Sequence, residues 1–186
     1  MMVKRRELLS SNRTLLMIWA AFFVALAVLV PTIFYTVSGL DRIFLPMHIP
    51  VILCGFICGA HFGFLCGVLA PILSALLIGL PVLIPNGLIM AVELAIYGFV
   101  SGFLYRRGHS VWLALVAAMF LGRVVSGLLM ACVLGFAGQA YGLGAFVSAA
   151  FVTGLPGIVI QLLLIPVLVT AIEKLIYHIL CSGGDC

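Results

Sequence analysis

From Ile49 to Leu80 the sequence reads IPVILCGFICGAHFGFLCGVLAPILSALLIGL, with no Asp, Glu, Lys or Arg. Residues 14–36 and 155–172 are equally bare, and 88–105 and 111–136 carry one charge each, Glu93 and Arg123. Stretches of this length do not fold as a water-soluble domain, because too few polar residues are left to face solvent. The whole chain agrees: it is 66% hydrophobic and 8% charged, with a mean hydropathy of +1.41. It therefore reads as an all-α integral membrane protein. At ~20 residues per spanning helix, 186 residues suffice for roughly six helices and short loops, with nothing left for a soluble domain. The expected organisation is one transmembrane domain over 1–186, with 1–13 as an N-terminal segment and 175–186 as a tail.

The interruptions set the parse. A first helix covers 14–36, followed by the polar break TVSGLDRIFLPMH; apolar sequence resumes over 49–80, 88–105, 111 to about 136, and 155 onward. Residues 141–152, within a Gly-rich stretch, read equally well as a short helix or a loop. Ala25-Leu26-Ala27 mimics a signal-peptidase site, but the apolar run continues through VLVPTIF, so an uncleaved first helix is expected. The topology turns on 49–80. As one long helix it puts Arg106 and Arg107 across the membrane from Lys4, Arg5 and Arg6. As two short helices turning near GAHFG (59–63), it puts both clusters and Lys174 on one side. Basic residues next to spans concentrate in the cytoplasm. The two-helix reading is therefore preferred: six spans, both termini cytoplasmic, and Arg42 alone among the basic residues outside.

Small residues and cysteines suggest packing first. Gly55, Gly59, Gly63 and Gly67 recur every four residues, as do Ala21 and Ala25 in the first helix. Such spacing lets helix backbones approach closely in lipid. For the glycines this means intramolecular packing; the alanine face can equally dock a partner subunit. Cys54, Cys58 and His61 fall at helical spacing, but no fourth ligand is evident and Cys packs well in membranes. No metal or other cofactor is expected. Cys181 and Cys186 would sit in a reducing cytoplasm, where no stable disulfide is expected. His48, beside Pro46, Met47 and Pro50, is placed at the outer surface, as a structural cap or a ligand contact. His61, His109 and His178 read as interfacial residues.

Glu93 and Arg123 are different, because a charge at membrane depth is costly unless paired or wetted. Glu93 lies about five residues, ~8 Å, below the outer end of its helix, and Arg123 near the middle of the next. Their depths are compatible with a shared pocket, which Gln161 can join from the last helix. A structural salt bridge is the alternative. The pocket is favoured because Asn86 and the polar 37–48 loop sit above it. Tyr97 is the nearest aromatic residue on the Glu93 face, with Phe44 and Trp112 toward opposite ends. The candidate substrate-binding set is thus Glu93, Arg123, Asn86, Gln161, His48 and Tyr97.

Enzymatic motifs are missing: there is no H-E-x-x-H, no G-x-S-x-G and no paired metal-binding carboxylates. There is also no G-x-x-x-x-G-K-[ST], so the chain cannot power ATP-driven transport by itself. It is not expected to be an enzyme.

The stretches LPMHIPVILCGFICGAHFGFLCGVLAPILSALLIG (45–79), IMAVELAIYGFVSGFLY (89–105), LGRVVSGLL (121–129) and LPGIVIQLLLIPVLV (155–169) resemble the substrate-binding S components of energy-coupling factor (ECF) vitamin transporters. The resemblance runs from the first helix almost to the last residue. It implies a six-helix S-component bundle in a bacterial cell membrane, and a vitamin site near the outer face. It also implies an energising module of one transmembrane T subunit and two ATPases, with the Ala21/Ala25 face meeting the T subunit. Related sequences often carry a basic residue where this third helix reads PILSALLIG, so a contact made there by relatives cannot be carried over.

Three functions compete: a binding subunit of an ATP-driven importer, which leads; a self-sufficient ion-coupled carrier using Glu93 and Arg123; and a purely structural subunit. A guanidinium at pocket depth favours a carboxylated ligand over cationic thiamine, and the scarcity of aromatics disfavours riboflavin or folate. Among vitamins carried by S components, pantothenate fits first and biotin next. Arg123 would hold the acid, with Glu93, Asn86 and Gln161 meeting hydroxyl and amide.

Overall fold

The computed structural model describes residues 13–35, 46–136 and 155–182. Among them, all regular structure is helical: α1 (Arg13–Tyr35), α2 (His48–Cys58), α3 (Ala60–Ile78), α4 (Leu88–Arg106), α5 (Val111–Phe136) and α6 (Leu155–Ser182). Five of these are long and apolar enough to cross a membrane; α2 is a shorter apolar helix. The Lys4–Arg6 cluster, Arg42, Phe44, residues 141–152 and Cys186 lie outside the described residues. Helix α6 runs on through 175–182, most of the segment expected as a tail.

The ambiguous stretch 49–80 breaks at Gly59, whose φ of 94° is a conformation that a side chain disfavours. Space forbids a side chain there too, since a Cβ would run into the Arg106 guanidinium. Arg106 Nη2 donates to the Cys58 carbonyl at 2.8 Å, satisfying one of the acceptors that a helix end leaves unpaired. The chain then doubles back, so that Gly63 packs against Gly55. In a continuous helix those two would stand ~12 Å apart. The two-helix reading holds, and α2, with 11 residues, is the short member at ~16 Å, about half the bilayer core.

This fold-back divides the glycine series. Gly55 and Gly63 both rest on the Gly98 carbonyl of α4, and Gly67 rests on the Leu94–Ala95 backbone. Gly102 answers from α4, against Gly55 and the Gly59–Ala60 turn. The four-residue spacing is therefore two helix faces clamped on a third, with Gly59 serving the turn. Helix α1 lies against α2 and α3, α5 against α4, and α6 against α2 and α5. Phe23, Ile52, Leu94, Leu115 and Ile165 fill the buried centre.

At the Arg106 end, Tyr105 donates its hydroxyl to Glu173 Oε1 at 2.7 Å, and both residues are buried. This contact fixes the register of α6 against α4. Helix α4 ends one residue beyond Tyr105, whereas Gln161, Ile165 and Val169 ahead of Glu173 are buried. The two helices therefore run in the same direction.

Candidate functional site

Four helices bring their rare polar residues to one level. His48 opens α2, ten residues above the Cys58 carbonyl that Arg106 holds, or ~15 Å. Glu93 stands twelve residues above Tyr105 on α4, or ~18 Å. On α5, Gly122 supplies the register: its missing side chain is where the Tyr97 ring lies, which puts Arg123 beside Glu93. Gln161 precedes Glu173 by the same twelve residues that separate Glu93 from Tyr105, so α6 carries it at the depth of Glu93. In a ~30 Å bilayer core, this level lies past the midplane from the Arg106 end.

The contacts converge on one oxygen. Tyr97 donates its hydroxyl to Glu93 Oε1 at 2.8 Å. Arg123 Nε approaches the same oxygen at 3.5 Å, and His48 Nε2 lies 3.8 Å from it. The His48 and Tyr97 rings pack with centroids 5.3 Å apart. Glu93 and Arg123 are mostly shielded, at 13% and 12% side-chain exposure, whereas His48, Tyr97 and Gln161 are fully buried. His48 is therefore not at the outer surface: α2 is too short to reach it and holds the imidazole inside the bundle.

Polar capacity is left over. His48 Nδ1 and Nε2, Arg123 Nε, and Gln161 Nε2 and Oε1 are buried without a hydrogen-bond partner. A buried donor or acceptor left unmade costs about 1–3 kcal/mol, so a cluster of them is a place where a polar molecule would be held. Tyr97 has a different part. Its ring is pinned by Gly122 and its hydroxyl by Glu93, so it positions the carboxylate and offers no open face for stacking.

The remaining candidates fall elsewhere. Asn86 is exposed in the irregular Leu83–Gly87 segment ahead of α4 and makes no hydrogen bond to the cluster. Ala21 and Ala25 are exposed on α1. With Leu65, Leu69 and Leu73 of α3 they line an apolar groove of about 650 Å³. The helical face joining Cys54, Cys58 and His61 does not form, because the break at Gly59 leaves the cysteines buried and the histidine exposed.

Two features escape sequence reasoning. The Tyr105–Glu173 pair looks like an acid at the end of a span, and nothing in its spacing points to a partner 68 positions away. Gly122 looks like one more glycine in an apolar helix, although it is what seats Tyr97.

No curated protein and no solved structure matches the chain. Residues 15–169 match the family described as "ECF transporter, substrate-specific component", and that match takes in His48, Glu93, Arg123 and Gln161. The chain belongs to the ECF transporter substrate-specific components, the substrate-binding subunits of these membrane transporters.

Proposed function

We propose that this subunit captures a small carboxylated vitamin, pantothenate first and biotin next, for an ATP-driven module of one T subunit and two ATPases. The observation that carries this reading is the set of unpartnered buried polar atoms on His48, Arg123 and Gln161. Arg123 spends only the side of its guanidinium on Glu93, leaving donors for a ligand carboxylate. The Gln161 amide offers a donor and an acceptor, which matches an amide in the ligand. The His48 imidazole suits a hydroxyl, and Tyr97 and Glu93 keep the wall in register. Among the described residues the cluster has no free aromatic face, which disfavours a large flat ring.

In this proposal both termini and Arg106/Arg107 are cytoplasmic, so the cluster lies in the outer half of the membrane and receives ligand from outside. The groove beside Ala21 and Ala25 takes the T subunit. The test is calorimetric titration of the purified full chain with pantothenate, biotin, thiamine and riboflavin, repeated on Arg123→Ala. Binding of the acid, weakened ~10–100-fold by the substitution, is expected for one lost charge-assisted contact of about 1.5–3 kcal/mol. Tight thiamine or riboflavin binding would overturn the assignment, as would unchanged acid affinity in the variant. Ion-driven uptake by the reconstituted chain alone would overturn the dependence on an ATPase module.

A further inference from the structure

On the outside of the bundle, between α3 and α4 near the Arg106 end, lies an open cavity of about 480 Å³. Phe64, Leu65, Ile96, Phe99 and Val100 form its apolar walls, and His61 stands at its rim. The aromatic wall continues toward the end of α4: Phe64 meets Phe99 edge-on at 6.5 Å, and Phe99 stacks on Phe103 at 5.7 Å with the rings 13° apart. Arg107 lies over the Phe103 ring, its guanidinium carbon 4.2 Å from the centroid. Arg106, held by the Cys58 carbonyl, packs against Gly59, two residues before His61. Neither arginine forms a salt bridge among the described residues, and His61, Arg106 and Arg107 are all exposed.

An apolar slot open sideways from a membrane bundle is filled by lipid tails. Among the described residues the charges beside this one, Arg106 and Arg107, have a single sign. We infer that the cavity is a binding site for an anionic phospholipid. One acyl chain lies along Phe64, Leu65, Ile96, Phe99 and Val100, and the phosphate faces His61 and Arg107. Basic pockets between spanning helices hold acidic head groups in this way, because a guanidinium beyond the end of an apolar slot, with an imidazole at the rim to hydrogen-bond the phosphate, favours a net negative lipid over a zwitterionic one. Arg107, stacked on Phe103, carries its charge one ring beyond the Phe99 wall, and among the described residues no carboxylate pairs with it. The polar cluster on α2, α4, α5 and α6 takes no part, and the α1–α3 groove shares only Leu65 with the cavity.

Native mass spectrometry of the purified full chain tests this, with equimolar phosphatidylglycerol and phosphatidylcholine of identical acyl chains. Wild type should retain phosphatidylglycerol at least several-fold over phosphatidylcholine. His61→Gln with Arg107→Gln should bring that ratio near one, and Ile96→Trp, which fills the slot, should reduce adducts of both lipids. Lys174→Gln removes an exposed cation from α6 and should leave the ratio unchanged. Every variant is checked for wild-type helix content and elution, and Arg106 is left in place because it holds the α2–α3 turn. Equal retention of the two lipids by wild type would overturn the proposal. So would a loss of preference in Lys174→Gln matching that of the double variant, since net charge would then be acting rather than the slot.

Discussion

Arg123 meets Glu93 side-on: its Nε lies 3.5 Å from Oε1, an oxygen that already accepts the Tyr97 hydroxyl at 2.8 Å. A salt bridge built only for stability would be expected to use both guanidinium nitrogens against both carboxylate oxygens, since that bidentate geometry is the strongest available. Here the Nε is left without a hydrogen bond, and the second carboxylate oxygen takes none of the three contacts on Oε1. The pair is held in place but not saturated.

Substitution in pairs separates the two roles of this contact. Glu93→Gln alone leaves a mostly shielded guanidinium uncompensated and should lower the melting temperature. Removing one partner of a buried pair costs about 3–5 kcal/mol, and less where water reaches it, as here. Glu93→Gln with Arg123→Gln removes both charges and should recover most of that stability, while acid-ligand affinity stays down at least tenfold. Thermal unfolding in detergent and calorimetry on the same samples give both readouts. Recovery of binding together with stability would make the pair purely structural.

Tyr97→Phe is a smaller probe. It keeps the ring on Gly122 and removes one hydrogen bond to a carboxylate, worth about 1.5–3 kcal/mol. Glu93 then loses its shortest contact, and ligand affinity should fall ~3–30-fold with modest change in melting temperature. Affinity equal to wild type would remove Tyr97 from its positioning role.

The helix faces were legible for reasons that also explain what was not. Charge-free runs mark spans because lipid excludes unpaired charge, so α1, α4 and α5 fall within a residue or so of their expected bounds. The basic clusters favour a turn within 49–80, and the break falls at Gly59, where a positive φ lets the backbone reverse. Glu93, Arg123 and Gln161 stand out in the sequence because polar residues in apolar runs are conspicuous, whereas the depth of His48 depends on how short α2 is and is not legible from its neighbours. Asn86 was drawn toward the site by sequence position, yet the Leu83–Gly87 segment leaves it in the open. Glu173 escaped notice because a contact with Tyr105 68 positions away leaves no local pattern.

Close backbone contact makes a sharp contrast among the glycines. A Cβ on Gly98 would strike the Gly63 backbone, which cannot rotate away, whereas one on Gly135 would meet nothing within 4 Å. Gly98→Ala should therefore destabilise the chain by about 1–3 kcal/mol or more through overpacking. Gly135→Ala should be neutral or slightly stabilising, because alanine is the better helix former. Melting curves of the two variants beside wild type decide it, and equal curves would mean that α3 and α4 do not pack through these glycines.

Sidedness can be read chemically in intact cells. With native cysteines replaced, a single cysteine at position 107 should resist an impermeant maleimide, and one at position 38 should react. That pattern follows if Arg106 and Arg107 face the cytoplasm, as the proposed topology has it. The reverse pattern would turn the bundle over and put the His48–Glu93–Arg123 level nearer the inside, which is incompatible with capture from outside.

The α1–α3 groove offers the remaining test, because assembly and ligand binding use different faces. Ala21 and Ala25 are exposed small residues on the wall of an apolar groove, and small side chains let a partner helix approach to backbone distance. Replacing both with Leu or Trp fills the groove and should abolish co-purification with the T subunit. Helix α1 does not contribute to the Glu93–Arg123 cluster, so the isolated variant should bind its ligand within about twofold of wild type. Co-purification of the Trp variant at wild-type yield would move the docking face elsewhere. Loss of assembly together with loss of ligand binding would show that the substitutions disturb the bundle, and the smaller change, Ala25→Val alone, then carries the test: assembly should weaken while calorimetric binding stays intact.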